Sequence, residues 1–191
     1  MVNTRERIVA ASADLFRRNG YTGTGVKQIV AAANAPFGSL YHFFPGGKAE
    51  LGAETIRWSG RMYLDLINAL FDPEPDLVIA VRNAFLAAGE TLRETDYADA
   101  CPIATIALEV ASTNETLRQA TDEVFVSWID AVAERFTRAG LDATTARELA
   151  ISLIGALEGA FVLCRAMRTT TPLEIASRTM SDLVRRALQS R

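Results

Sequence analysis

The stretch that decides the fold is residues 24–51, TGVKQIVAAANAPFGSLYHFFPGGKAEL. Helically spaced apolar residues, followed by Asn34 and Pro36, predict a helix, a tight turn and a second helix. The Pro-Gly-Gly sequence at 45–47 ends that second helix, and a third helix follows from Lys48. Apolar side chains on the inward faces would lock the first two helices together: Ile29, Val30, Ala33, Leu40 and Phe44.

A helix-turn-helix places its second helix in the DNA major groove, so that helix needs outward polar groups. Ser39, Tyr41 and His42 can donate hydrogen bonds to phosphates or base edges. Gly38 would let the backbone approach the groove closely. His42 is the only histidine of the chain. The segment therefore predicts a DNA-reading helix.

The flanks of this motif suit contact with the DNA backbone. Thr24, which we expect to cap the first helix of the motif, and Lys27 can reach a phosphate. At Lys48 a positive charge and the free N–H groups of a helix start both favour an anion. Residues 1–48 carry six basic and two acidic side chains, a net charge of +4, whereas residues 49–191 carry 14 and 21, a net charge of −7. A basic N-terminal part on an acidic body fits a module that docks on phosphate.

The sequences RERIVAASADLFRRNGYTGTGVKQI at 5–29 and GSLYHFFPGGKAEL at 38–51 resemble the N-terminal domain of the TetR family of bacterial transcriptional regulators. The resemblance covers residues 4–60 in specific motifs and the whole chain in length and helical layout. It implies an all-α fold of about nine helices. In that fold, residues 1–47 form a three-helix DNA-binding head, and residues 48–191 form a body that binds a ligand and dimerises through the last two helices.

The resemblance also implies roles for single residues. Thr24, Tyr41, His42 and Lys48 match positions that contact phosphate in the family. Residues 36–39 match positions that usually face bases.

The chain departs from the family pattern at the start of the second helix. The family usually has Gly at the position of Asn34 and Ser or Thr at that of Pro36. At the position of Phe37 it often has Lys or another polar residue. Phe37 could touch a thymine methyl group. It could equally pack inward, because Phe37, Leu40 and Phe44 follow helical spacing.

The remainder of the chain is helical in its apolar spacing nearly everywhere, and no segment is a convincing strand. Its large apolar side chains are core by default, but some could line a pocket between helices. Glu109 and Glu158 each interrupt an apolar helix face. Each either pairs with an arginine, as Glu158 could with Arg165, or lies at an exposed edge. The alternative is that each anchors a ligand in the cavity. The candidate ligand-binding residues are Trp58, Met62, Phe85, Ile106, Glu109, Phe125, Trp128 and Phe161.

Small residues in the penultimate helix predict a close helix contact. Gly155 and Gly159 lie beside Ala156 and Ala160. A dimer seam is the preferred interpretation, and packing within the protomer is the alternative. The candidate dimerisation residues are Gly155, Gly159, Met180, Leu183 and Val184.

Several classes of protein are disfavoured by the composition. No run reaches the roughly 18 uninterrupted apolar residues of a membrane span, and residues 1–16 lack a signal-peptide pattern, so we expect a cytoplasmic protein without a membrane partner. Cys101 and Cys164 have no metal-ligand spacing and are expected to be buried, reduced thiols. With one histidine, no Walker or dinucleotide glycine pattern and no metal-ligand cluster, we expect neither an enzyme nor a cofactor.

The resulting prediction is a homodimeric repressor that binds double-stranded operator DNA and is released by a small, largely apolar effector. The alternative is a helical protein that binds a small molecule and has weakened or lost DNA binding. The low polarity at Pro36 and Phe37 is the only support for that alternative.

Overall fold

The structure is a computed structural model that describes residues 3–99 and 101–190. Within these residues the chain forms nine α-helices and no strand, which confirms the predicted all-α fold. The helices are α1 (Thr4–Asn19), α2 (Val26–Ala32), α3 (Phe37–Phe43), α4 (Gly47–Phe71), α5 (Leu77–Glu94), α6 (Pro102–Val110), α7 (Glu115–Arg138), α8 (Ala143–Met167) and α9 (Thr171–Gln189).

Side-chain caps explain where several helices begin. Asn3 accepts a hydrogen bond from the backbone N–H of Glu6, and the Glu6 carboxylate accepts one from the N–H of Asn3, so α1 opens with a capping box. Asp76 and Asp142 accept from the first N–H groups of α5 and α8 in the same way.

The start of α2 corrects the sequence prediction. The N-cap is Gly25 and not Thr24, and the Gln28 side chain accepts a hydrogen bond of 2.7 Å from the N–H of Gly25. Gln28 therefore supplies the side-chain hydrogen bond at the start of this helix. At the start of the next helix, Pro36 is the N-cap of α3, with φ of −58°, and Phe37 is its first helical residue.

The chain divides into two compact units. Unit 1 comprises Met1–Met62 and Cys101–Phe125, and its fully buried side chains include Phe16, Phe44 and Ile103. Unit 2 comprises Tyr63–Ala100 and Val126–Arg191, where α9 packs against α5 and α8, and its fully buried side chains include Phe85, Phe136 and Val184. The functional boundary between residues 47 and 48 stays a prediction.

One described helix, α8, is long and apolar enough to cross a membrane by length and composition, with a mean hydropathy of 1.7 over its most apolar window. Two observations favour a helix of a globular protein. It packs along α9, and its Arg147 is ion-paired with Asp130 of α7. Because only 33% of that window is buried, α8 also presents a largely uncovered apolar face.

Candidate nucleic-acid interface

The helix-turn-helix is held together by the apolar residues that the sequence predicted. Ile29, Leu40 and Phe44 are at most 1% exposed, and Val30 and Ala33 are also buried. Helix α1 completes this core, because it contacts both α2 and α3. A buried inner face fixes which side of α3 points outward.

The turn between α2 and α3 has a defined backbone. Asn34 has φ of 47°, in the left-handed region predicted for it, and the N–H of Ala35 donates to the carbonyl of Val30 at 2.9 Å. Arg7 of α1 donates from Nε to the carbonyl of Ala33 at 3.1 Å and from its guanidinium to that of Asn34 at 3.4 Å. Arg7 thus positions the turn, a role that sequence reasoning missed because a helix-borne arginine usually indicates a solvated face.

The outward face of α3 carries the predicted reading groups. Tyr41 and His42 are exposed, and Ser39 is half-buried. Phe37 is 49% exposed, and its ring lies 5.9 Å from the ring of Tyr41, so the structure excludes the inward packing of Phe37. A Cβ atom at Gly38 would meet no other atom within 4 Å, which leaves that part of the helix open to a partner.

The predicted DNA-contacting residues that flank α3 differ in whether solvent, and so DNA, can reach them. Lys27 and Pro36 are exposed. Thr24 is 1% exposed, and its hydroxyl donates to the carbonyl of Gly20 at 2.7 Å. The Thr24 hydroxyl therefore holds the end of α1 and has no proton left for a phosphate.

Lys48 is also engaged within the protein. Its Nζ donates to the carbonyl of Tyr21 at 2.7 Å and lies 4.2 Å from the centre of the Tyr21 ring. Burial lowers the pKa of Lys48, and the carboxylate of Glu109 opposes that shift. Burial raises the pKa of the Tyr21 phenol. Lys48 thus ties the start of α4 to the segment that joins α1 to α2.

Glu109 of α6 reaches the same segment from another side. Its Oε2 accepts a hydrogen bond of 2.7 Å from the backbone N–H of Thr22. Oε1 occupies the space beside Gly20, where a Cβ atom would lie only 1.8 Å from it. The partner of Glu109 is therefore a backbone N–H, which the sequence analysis did not consider because the two residues are 87 positions apart.

The other candidate ligand-binding residues are divided between the two units. Phe85, Ile106 and Trp128 are buried, which is typical of core residues. Met62 is 54% exposed. The half-buried candidates are Trp58, Phe125 and Phe161. Their role in ligand binding stays a prediction.

The candidate dimer residues separate into two groups. Gly155 and Gly159 are exposed on α8, and a Cβ atom at either position would meet nothing within 4 Å. Leu183 of α9 is 39% exposed. Met180 and Val184, at 5% and 0% exposure, are instead buried within the protomer, and the role of all five residues in dimerisation stays a prediction.

The three-helix core, the defined turn and the exposed face of α3 define a helix-turn-helix protein of the transcription-regulator class. Residues 8–55 match the family model for bacterial regulatory proteins of the tetR family, and residues 78–179 match the C-terminal domain model of LmrA/YxaF-like transcriptional regulators.

Similar proteins cover the chain along its whole length. An HTH-type transcriptional regulator of Mycobacterium tuberculosis is 32% identical over 100% of this chain and 99% of its own. YxaF of Bacillus subtilis, also an HTH-type transcriptional regulator, is 32% identical over 96% of each chain. The crystal structure of a TetR transcriptional regulator from Legionella pneumophila, 22% identical, has the same fold, with a TM-score of 0.83 over 96% of this chain and 98% of that one. The protein belongs to the TetR family of bacterial transcriptional regulators, with a C-terminal domain of the LmrA/YxaF-like type.

Proposed function

We propose that this regulator is a repressor that binds a near-palindromic operator as a homodimer and leaves it when a small, largely apolar effector binds. The observation that carries the DNA-binding step is the outward face of α3, where Phe37, Tyr41 and His42 are exposed on a helix whose inner face is buried. The net charge of +4 over residues 1–48 adds attraction to phosphate. Regulation of transcription, rather than catalysis, is the role we assign to the chain, and we place it in the cytoplasm, where its DNA lies.

The test of DNA binding uses the purified protein and the DNA upstream of its own gene, with competitor DNA and a salt series. We expect a protected, roughly two-fold symmetric site. Replacing Tyr41 and His42 together by Ala should lower affinity at least about 1,000-fold, because the dimer loses two hydrogen bonds of about 1–1.5 kcal/mol each in both half-sites, about 4–6 kcal/mol in total. The helical circular dichroism signal should not change, since both side chains are exposed.

The matched control is Arg178→Ala, which removes a positive charge from an exposed position of α9. If attraction to DNA depended only on total charge, Arg178→Ala would weaken binding and the Tyr41/His42 variant would not. Unchanged operator affinity in the Tyr41/His42 variant would refute the assignment of α3 as the reading helix and favour a small-molecule-binding protein without DNA function.

The dimer rests on the uncovered apolar face of α8. Gly155 and Gly159 leave room for the backbone of a second copy, and nearby Ile151 and Val162 are 49% and 57% exposed. A second protomer would cover this surface, so that no membrane is needed to explain it. Two recognition helices would then need a separation of about 34–36 Å, one turn of DNA. Sedimentation at micromolar concentration should give a dimer, and a monomer would contradict the proposal.

Release by an effector is supported by the two ties to the segment between α1 and α2. Glu109 of α6 binds the N–H of Thr22, and Lys48 of α4 binds the carbonyl of Tyr21, so a shift of either helix would be transmitted to the head. A coupling of about 1–3 kcal/mol, or about 5- to 150-fold in operator affinity, would suffice.

Effector coupling can be tested with a panel of small apolar compounds and the operator complex. We expect at least one compound to weaken the complex. Glu109→Ala should reduce that response, because one tie is lost. Glu115→Ala is the matched control, since among the residues that the structure describes its carboxylate pairs only with Arg118 and Gln119 of its own helix. A response that Glu109→Ala leaves intact would rule out this route of coupling.

A further inference from the structure

We propose that the exposed Phe37 ring, supported by Tyr41, reads thymine by contact with its methyl group, so that the operator has thymine at one fixed position or two adjacent positions in each half-site. This inference rests on the proposed DNA-binding function of α3. It assigns to Phe37 a role in sequence choice rather than in general affinity.

The geometry of the pair is the first support. Phe37 and Tyr41 are four residues apart on α3 and are 49% and 50% exposed. Their ring centres are 5.9 Å apart and the ring planes are inclined by 59°, a favourable arrangement for two aromatic rings. Tyr41 thereby limits the directions in which the Phe37 ring can point. The pair forms an apolar surface on the side of the helix that faces away from the core.

The position of Phe37 is the second support. It is the first residue of α3, and the N-terminal residues of a recognition helix are those that contact base edges. Apart from the helix itself, no described residue comes within 4 Å of a Cβ position at the adjacent Gly38, which leaves room for a groove edge beside the ring. Ser39, two residues on, remains available for a polar contact.

The chemistry of the ring selects the base. A phenyl group can neither donate nor accept a hydrogen bond, so it cannot satisfy the N7, O6, N4 or N6 atoms that the other bases present in the major groove. The C5 methyl of thymine is the apolar group of that groove. Covering this methyl removes apolar surface of both partners from water.

The charge around the pair favours DNA over a protein partner. Helix α3 contains no acidic residue, and residues 1–48 carry a net charge of +4. Lys27 of α2 and His42 of α3 are also exposed. An apolar pair within a basic head fits a groove lined by phosphates.

The experiment starts from a duplex that the full-length protein selects from a random DNA pool. Each thymine of the selected half-site is then replaced in turn by deoxyuridine, which removes only the methyl group. For the native protein we expect one or two positions per half-site where uracil weakens binding about fourfold, the value for one buried methyl group. Other positions should show no effect.

The variant Phe37→Ala supplies the decisive comparison. It should bind the selected duplex at least about 16-fold more weakly, about fourfold for each half-site of the dimer, and no longer distinguish thymine from uracil at those positions. The matched control is Leu108→Ala on α6, which removes a large apolar side chain that is 82% exposed in the same unit. This control should retain the full fourfold discrimination.

Each other outcome contradicts the proposal. Specific binding that is insensitive to uracil at every position overturns methyl reading but leaves DNA recognition by α3 intact. Discrimination that persists in Phe37→Ala assigns the methyl contact to another residue. If no sequence is enriched from the pool, both methyl reading and the proposed function fail.

Discussion

The contact between Gly20 and Glu109 makes a quantitative prediction about the link between α6 and the head. Gly20 has φ of 73° and ψ of 171°, a conformation open essentially only to glycine. We expect Gly20→Ala to cost about 1–3 kcal/mol for this backbone alone. The new Cβ atom would also lie 1.8 Å from Oε1 of Glu109, so the carboxylate must leave its place.

Displacing the carboxylate breaks its 2.7 Å hydrogen bond with the N–H of Thr22. Hydrogen bonds to charged groups contribute about 1.5–3 kcal/mol, and we take about 1 kcal/mol because Glu109 is solvent-exposed. Gly20→Ala should therefore lower the free energy of unfolding by about 2–4 kcal/mol in total. Glu109→Ala alone should cost about 1 kcal/mol.

The two substitutions should not be additive. Once Glu109 is absent, Gly20→Ala costs only the backbone contribution, so the double variant should be about 1 kcal/mol more stable than the sum of the single effects. Urea denaturation followed by helical circular dichroism measures all four proteins. Additivity within about 0.3 kcal/mol would refute the placement of Glu109 against Gly20. A Gly20→Ala protein as stable as the native one would refute the positive φ.

Further substitutions test the packing and the proposed dimer. Gly60→Ala should destabilise the fold by up to about 2 kcal/mol in urea, because its Cβ atom would lie 2.4 Å from Val124, and the overpacking cost of about 1–3 kcal/mol is offset by a helix-propensity gain of up to about 1 kcal/mol. Val124→Ala should relieve the loss, and a stabilised single variant would contradict the contact. Gln28→Ala should cost about 0.5–1 kcal/mol by removing the side-chain hydrogen bond to the N–H of Gly25, seen as faster amide hydrogen exchange at the start of α2, whereas unchanged exchange would show that the cap contributes nothing. Gly155→Leu combined with Gly159→Leu should weaken dimerisation at least about tenfold in sedimentation, since overpacking an interface costs about 1–3 kcal/mol. Helical content should not fall, because a Cβ atom at either position meets nothing within 4 Å in the protomer. An unchanged dimer would place the interface elsewhere.

Much of the fold follows from local sequence patterns. The apolar period of 3.6 residues, the caps at Asp76 and Asp142 and the left-handed turn at Asn34 act over a few neighbouring residues, so they are legible in the sequence. The motif GSLYHFFPGGKAEL at 38–51 likewise indicated the family. The error at Thr24 was of one residue, and it arose because both Thr24 and Gly25 are acceptable caps.

Other features depend on which segments meet in space. Whether Phe37 lies inside or outside, and whether Met180 and Val184 are core or surface, is decided by the neighbouring helices, since a helical period shows only that residues share a face. The partners of Arg7 and Glu109 are backbone groups 26 and 87 positions away, and backbone groups are the same at every residue. The sequence by itself therefore determined the helices, the head motif and the family, because those signals are local. Only the tertiary structure decided which side chains of α3 are exposed and which residues hold the head to α4 and α6, because both depend on long-range packing.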